Sequence, residues 1–132
     1  MITAAYSVEI GPLLDVARRA GARIMEIYGR DFEIAYKADE SPLTEADKAG
    51  NEVIMEFLRA AHAGTPVISE ENKQIEYAER RDWTRFWLVD PLDGTKEFIK
   101  KNGEFTVNIA LVEKGVPVMG LVYRPVTDTL YL

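Results

Sequence analysis

A chain of 132 residues, 47% of them hydrophobic and with a formal net charge of −6, can bury one core and is too acidic to be drawn to nucleic acid. The absence of cysteine and the single histidine exclude disulfides, thiolate sites and histidine-rich zinc sites, so any metal would sit among oxygens, as magnesium, manganese or calcium do. No apolar run approaches the ~20 residues that cross a bilayer, and the start "MITAAYSVEIG" lacks the regions of a secretory signal, so a reducing cytoplasm is the expected location.

In chain order, the apolar seam Ile10, Leu13, Leu14, Ala17, Gly21, Ile24 and Tyr28 predicts a helix from Pro12 to Tyr28. Arg18, Arg19, Arg23 and Glu26 fall mostly on its other faces, and Gly21 on the seam leaves room for a close neighbour. "FEIAYKADE" alternates in part and reads as a short strand or an extended arm. In "SPLTEADKAGNEVIMEFLRAA" Thr44 is an N-cap, Glu45 and Asp47 put negative charge in the first turn, and a second helix is expected over Thr44–Ala61. His62 at its end is placed to favour the helix dipole, and Gly64-Thr65-Pro66 stops the run. "PVISEE" predicts a short buried strand finishing on two glutamates, and "NKQIEYAERRDWTR" a polar surface segment tucked down by Trp83. "FWLVD" is the next strand, followed by a turn and a short helix near Lys96 to Ile99. "TVNIALVEKGVPVMGLVYRPVTDTLYL" predicts an antiparallel meander that turns at Glu113-Lys114-Gly115 and again between Pro125 and Asp128. The expected fold is α+β and layered, with two long helices on one face of a mostly antiparallel sheet that continues beyond "TLYL".

The stretch "WLVDPLDGTKEF" carries the chemistry. Proline pushes the residue before it into extended geometry, so Asp90 is expected to finish its strand. Leu92, Asp93 and Gly94 then turn the chain, so Asp90 and Asp93 can face one small volume, where their repulsion calls for cations. Thr95 would begin the following helix, whose free N–H groups favour phosphate. Carboxylates for metal beside amides for phosphate suit metal-assisted phosphoester hydrolysis. The competing structural reading is a plain strand–turn–helix corner, with the aspartates capping turn and helix. Asp47 also has a structural reading, as the last residue of a T-x-x-D helix start that caps Thr44, and the two roles are compatible.

"DPLDGTKEF" resembles the DP(I/L)DGT signature of the inositol monophosphatase superfamily. The longer run "FWLVDPLDGTKEFIKKNGEFTVNIAL", with "KADESPLTEAD" and "VISEE" upstream in the right order, is similar to its 3′(2′),5′-bisphosphate nucleotidase branch, nearly throughout from Leu13 onward. The resemblance implies a phosphatase that removes the 3′-phosphate of adenosine 3′,5′-bisphosphate to give AMP, a step in sulfur metabolism. It implies two or three Mg2+ ions, with Mn2+ as the alternative, and inhibition by lithium. Glu70 then matches a metal ligand, Asp90 the carboxylate shared by two metals, Leu92 a ligand through its carbonyl, and Asp93 a ligand of the second metal. Gly94 and Thr95 match the phosphate-binding amides, and the Thr95 hydroxyl, oriented by Asp47, the group that activates water. Glu70, Leu92, Asp93, Gly94 and Thr95 thereby border the substrate, and Lys37 lies near the metal–water network in relatives. The resemblance also allows peripheral association with the cytoplasmic side of the inner membrane.

Members of that branch run to about twice this length, so residues 1–132 are expected to be the N-terminal metal- and phosphate-binding domain of a two-domain phosphatase whose C-terminal domain is absent. Two rivals stand beside this reading: an inositol or sugar phosphate monophosphatase of the same superfamily, and a truncated chain that binds cations without catalysis. The remaining tempting residues have plainer expectations. Glu71 should point away from Glu70 along the strand. Trp83, Phe86 and Trp87 should pack, and Arg18-Arg19, Arg80-Arg81 and Lys100-Lys101 should mark solvated faces.

Overall fold

The computed structural model describes residues 9–30, 34–36, 42–71 and 80–132. Helix α1 (Ile10–Tyr28) is followed by two short strands, β1 (Ile34–Tyr36) and β2 (Pro42–Thr44), which pair antiparallel as a separate ribbon. Helix α2 (Glu45–Ala61) leads to β3 (Val67–Ser69) and β4 (Arg85–Asp93), and a short helix α3 (Thr95–Ile99) precedes β5 (Thr106–Glu113), β6 (Val116–Arg124) and β7 (Thr129–Tyr131). The main sheet has the order β3-β4-β5-β6-β7. Its pairs are antiparallel except β3 with β4, which run parallel.

Both long helices form where the apolar seam predicts them and lie on one face of the sheet. Leu13, Val16, Ala17, Ala20 and Ile24 of α1 and Ala46, Ile54 and Leu58 of α2 meet the inward row Trp87, Val89, Val107, Ile109, Leu111 and Leu121. Each large side chain fully buried there contributes roughly 1.5–3 kcal/mol. The opposite face of the sheet is open: Leu88, one position from the buried Trp87, is 46% exposed. Among the described residues no helix is long and apolar enough to cross a membrane.

Several boundaries differ from the sequence expectation. "PLT" is a strand rather than the lead-in to α2, because it pairs with β1 from Ile34↔Thr44 to Tyr36↔Pro42, a partner no local pattern names. β3 ends at Ser69, so Glu70 and Glu71 lie in a turn, and strand alternation does not govern where Glu71 points. Asp90 does not finish its strand: the regular ladder stops at Asp90↔Asn108, slips, and resumes at Asp93↔Thr106. Pro91 has no N–H to donate, and a bulge is where a strand tolerates that loss. Lys37 and the whole of the "NKQIEYAE" stretch lie outside the described residues.

Gly21 does leave room for a neighbour. A Cβ there would stand 2.5 Å from the Tyr123 ring of β6, closer than any van der Waals contact. Tyr123 is itself tied down, its hydroxyl donating to Asp128 Oδ1 at 2.8 Å. Gly21→Ala should therefore force α1 off the sheet and lower the stability to unfolding by about 1–3 kcal/mol, read from urea denaturation.

Candidate functional site

The site is assembled where α2 and α3 begin and where β3 and β4 end. Thr44 caps α2: its hydroxyl accepts from the Ala46 amide at 3.2 Å and donates to Asp47 Oδ2 at 2.6 Å, while its own amide donates to the same Oδ2 at 2.9 Å. The other carboxylate oxygen of Asp47, Oδ1, accepts from the Thr95 hydroxyl at 2.8 Å, across 48 positions of sequence. The helix-cap and site readings of Asp47 thus hold together, one oxygen each. Asp47 is 0% exposed, so the network lies in the interior, where such bonds are strongest.

Thr95 opens α3, as expected, and Gly94 precedes it in a left-handed conformation (φ 98°). A Cβ on Gly94 would stand 2.7 Å from the Glu104 carbonyl oxygen, so both backbone shape and space require glycine. A helix of five residues cannot hold itself together. Phe98 anchors it, with its ring 5.2 Å from Tyr28 and 5.1 Å from Phe105. Lys101, just beyond α3, donates to the Tyr28 carbonyl and joins α3 to the end of α1. The Leu92 carbonyl lies 3.4 Å from the Thr95 hydroxyl, long for an O–H···O bond.

The acidic residues are only partly gathered. Asp90 is half-buried at the bulge, whereas Asp93 and Glu70 are exposed. Among the described residues no group of three or more acidic or histidine side chains is set to hold a metal ion, so the expected convergence of Glu70, Asp90 and Asp93 is incomplete. They remain near enough to act on one another. Burial, then Asp93 and then Glu70 push the Asp90 carboxyl from its ordinary 3.8 up to about 6, with Glu71 adding to the rise. The Leu92 amide opposes the rise by donating to the carboxylate. A half-buried carboxylate between acidic neighbours is a hard-oxygen donor set that fits a divalent cation.

Asn108, which the sequence reading did not single out, pairs with Asp90 in the ladder and donates through Nδ2 to Asp93 Oδ2 at 3.3 Å. Thr106 orients it by donating to its Oδ1 at 2.8 Å. The alternation of "TVNIAL" puts Thr106, Asn108 and Ala110 on the face that Asp90 uses, and that was the available signal. On the open face a cavity of about 340 Å3, lined by Glu70, Leu88, Asp90, Asn108, Gly120 and Val122, adjoins the carboxylates.

The remaining expectations divide. Trp87 is fully buried and Trp83 and Phe86 are half-buried, so all three pack. Arg18 and Arg19 are more than half exposed and make surface ion pairs with Asp128 and Asp15. His62 is the C-cap of α2. It packs at 5.3 Å from the Trp87 ring, and burial, followed by the Arg85 charge, lowers its pKa.

The sequence model of the inositol monophosphatase family matches residues 8–132. The 3′(2′),5′-bisphosphate nucleotidase CysQ of Salmonella typhimurium is 54% identical over 118 residues, which are 88% of this chain and 48% of that protein. Among solved structures, CysQ from Bacteroides thetaiotaomicron, described as a bacterial member of that family, superposes with a TM-score of 0.74 at 54% identity over 89% of this chain and 42% of its own. The extragenic suppressor protein suhB of Bartonella henselae superposes at 0.79 with 30% identity, over 89% of this chain and 45% of its own. The chain thus spans about half the length of the relatives it matches.

The raised pKa of Asp90 sets a pH dependence. Because the folded chain binds this proton more tightly than the unfolded chain, its stabilising effect is fully present below 3.8 and is lost as pH rises through about 6. In chelator-treated protein, Asp90→Asn should raise Tm by a few degrees at pH 7.5 and change it little near pH 4, measured by thermal denaturation.

Proposed function

This chain belongs to the inositol monophosphatase family, and from that premise we propose that it is the N-terminal, metal- and phosphate-binding half of a magnesium-dependent phosphatase that hydrolyses the 3′-phosphate of adenosine 3′,5′-bisphosphate to AMP and phosphate. The observation that carries the reading is the 2.8 Å hydrogen bond from the Thr95 hydroxyl to Asp47, beside the half-buried Asp90. The 54% identity to a protein named as a 3′(2′),5′-bisphosphate nucleotidase supports this substrate over an inositol or sugar phosphate. Those relatives have as much again of their chain outside the matched region, and the hold on the nucleoside is assigned there.

Glu70, Asp90, Asp93 and the Leu92 carbonyl are the residues assigned to hold the cations. When bound, Mg2+, as two or three ions or with Mn2+ in its place, supplies positive charge for the attacking water and the leaving oxygen. The rest falls to the chain's own groups. The amides of Gly94 and Thr95, at the start of α3, have no partner within the helix and face the phosphate. The Thr95 proton is already committed to Asp47, so the lone pairs of its oxygen are free to take a proton from the water as that water attacks phosphorus. The hydroxyl proton passes toward the carboxylate, the bond from phosphorus to the 3′-oxygen breaks, and that oxygen takes a proton from solvent. The cavity on the open sheet face gives the substrate room beside Asp90.

The direct test is Mg2+-dependent phosphate release by the intact protein from adenosine 3′,5′-bisphosphate against inositol 1-phosphate. Faster turnover of the inositol ester assigns the protein to the other substrate class. No turnover of either with Mg2+ bound leaves a cation-binding domain. Asp90→Asn should abolish the Mg2+-dependent release without unfolding the protein, and near wild-type turnover would remove Asp90 from the site. Asp47→Asn should lower kcat by about 100-fold or more and leave KM little changed, measured well below the Tm of the variant. A fall in Tm alone would leave Asp47 as a helix cap and nothing more.

A further inference from the structure

Four residues beyond Asp47, and so on the same face of α2, Asn51 makes a second contact across the fold. Its Oδ1 accepts from the Ser69 hydroxyl at 2.6 Å. Ser69 is the last residue of β3, 2% exposed, and its side chain turns inward to the helix layer. With its proton given to Asn51, the Ser69 oxygen is left to accept, and it does so from the Glu71 amide at 3.3 Å. Glu70 lies between these two points, and its own amide donates to the Val89 carbonyl at 3.1 Å. The backbone that carries the Glu70 side chain is thus held from three sides: by the sheet, by the Ser69 hydroxyl, and through that hydroxyl by α2.

We propose that Asn51 is a positioning residue that acts through Ser69 to preset Glu70 for the shared cation. This rests on the metal-site assignment of Glu70 and Asp90 above. α2 then orients both halves of the site from one face, Asp47 setting Thr95 on α3 and Asn51 setting the turn that carries Glu70. Presetting matters because Glu70 is exposed and its carboxylate is repelled by Asp90. With the turn unfixed, the backbone ordering that β3 and Asn51 now supply would have to be met when the cation binds. A residue that orients a ligand in this way changes metal affinity by about 10–100-fold.

The test is a titration of the purified intact protein with Mn2+ alone, followed by electron paramagnetic resonance, in wild type, Asn51→Ala, Ser69→Ala, Ser69→Thr and Asp90→Asn. Asn51→Ala and Ser69→Ala should each weaken Mn2+ binding by about 10-fold. Ser69→Thr, which keeps the hydroxyl, should bind like wild type. In phosphate release the Mg2+ concentration for half-maximal rate should rise by the same factor, with kcat at saturating Mg2+ retained. If Asn51→Ala and Ser69→Ala lower Tm but bind Mn2+ as wild type does, Asn51 only ties α2 to the sheet and the proposal is overturned. If Asp90→Asn weakens Mn2+ binding and the other two do not, the metal site stands and this proposal alone falls. If Asp90→Asn also has no effect, the metal-site assignment fails and this proposal with it. Should Asn51→Ala fail to fold, Ser69→Ala against Ser69→Thr decides the question by the same readout.

Discussion

Asp47 has two carboxylate oxygens, and each holds the start of a different helix. Oδ2 closes the cap of α2 with both the amide and the hydroxyl of Thr44, and Oδ1 takes the hydroxyl of Thr95 at the first residue of α3. A fully buried carboxylate is costly unless hydrogen bonds replace its lost water, and three donors from two elements do so here. Their geometry also orders what lies around them. α2 cannot shift along its axis without breaking the Thr95 contact, and Thr95 cannot turn without exposing the carboxylate.

α3 depends on that contact from one side and on aromatic packing from the other. Phe98 is buried against Tyr28 and Phe105, so the short helix is fixed by what it packs on rather than by its own backbone bonds. This gives the amides at the start of α3 a rigid footing. The carboxylates at the bulge have the opposite character. Burial, and then repulsion from Asp93 and Glu70, raises the pKa of Asp90. A buried, fully hydrogen-bonded carboxylate thus stands in the same region as a set of carboxylates that repel one another.

The two faces of the sheet divide the work. The inner face supplies the core and carries the helices, whereas the outer face presents Asp90 and Asn108 beside an open cavity. Strand alternation makes this possible: Trp87 and Val89 anchor the strand inward, while Leu88 and Asp90 between them look outward. The bulge at Pro91 then breaks the alternation where the chain needs Leu92 buried and Asp93 exposed close together.

The local periodicities were sufficient for α1, α2 and the β5–β6–β7 meander, because each is set by contacts between near neighbours and by one buried face. The Thr44 cap and the start of α3 at Thr95 were legible for the same reason. The "DPLDGT" stretch was legible as a site through its resemblance, although its residues alone also fitted a plain turn. What the sequence could not determine depends on partners far along the chain. The pairing of "PLT" with β1, the continuation of β4 past Asp90, the neutral packing of His62 against Trp87, and the roles of Asn51, Ser69 and Asn108 all arise from such neighbours. The incomplete gathering of Glu70, Asp90 and Asp93 belongs with them. Spacing shows which carboxylates can meet, but how closely they do depends on where the fold sets the end of β3 and the bulge of β4.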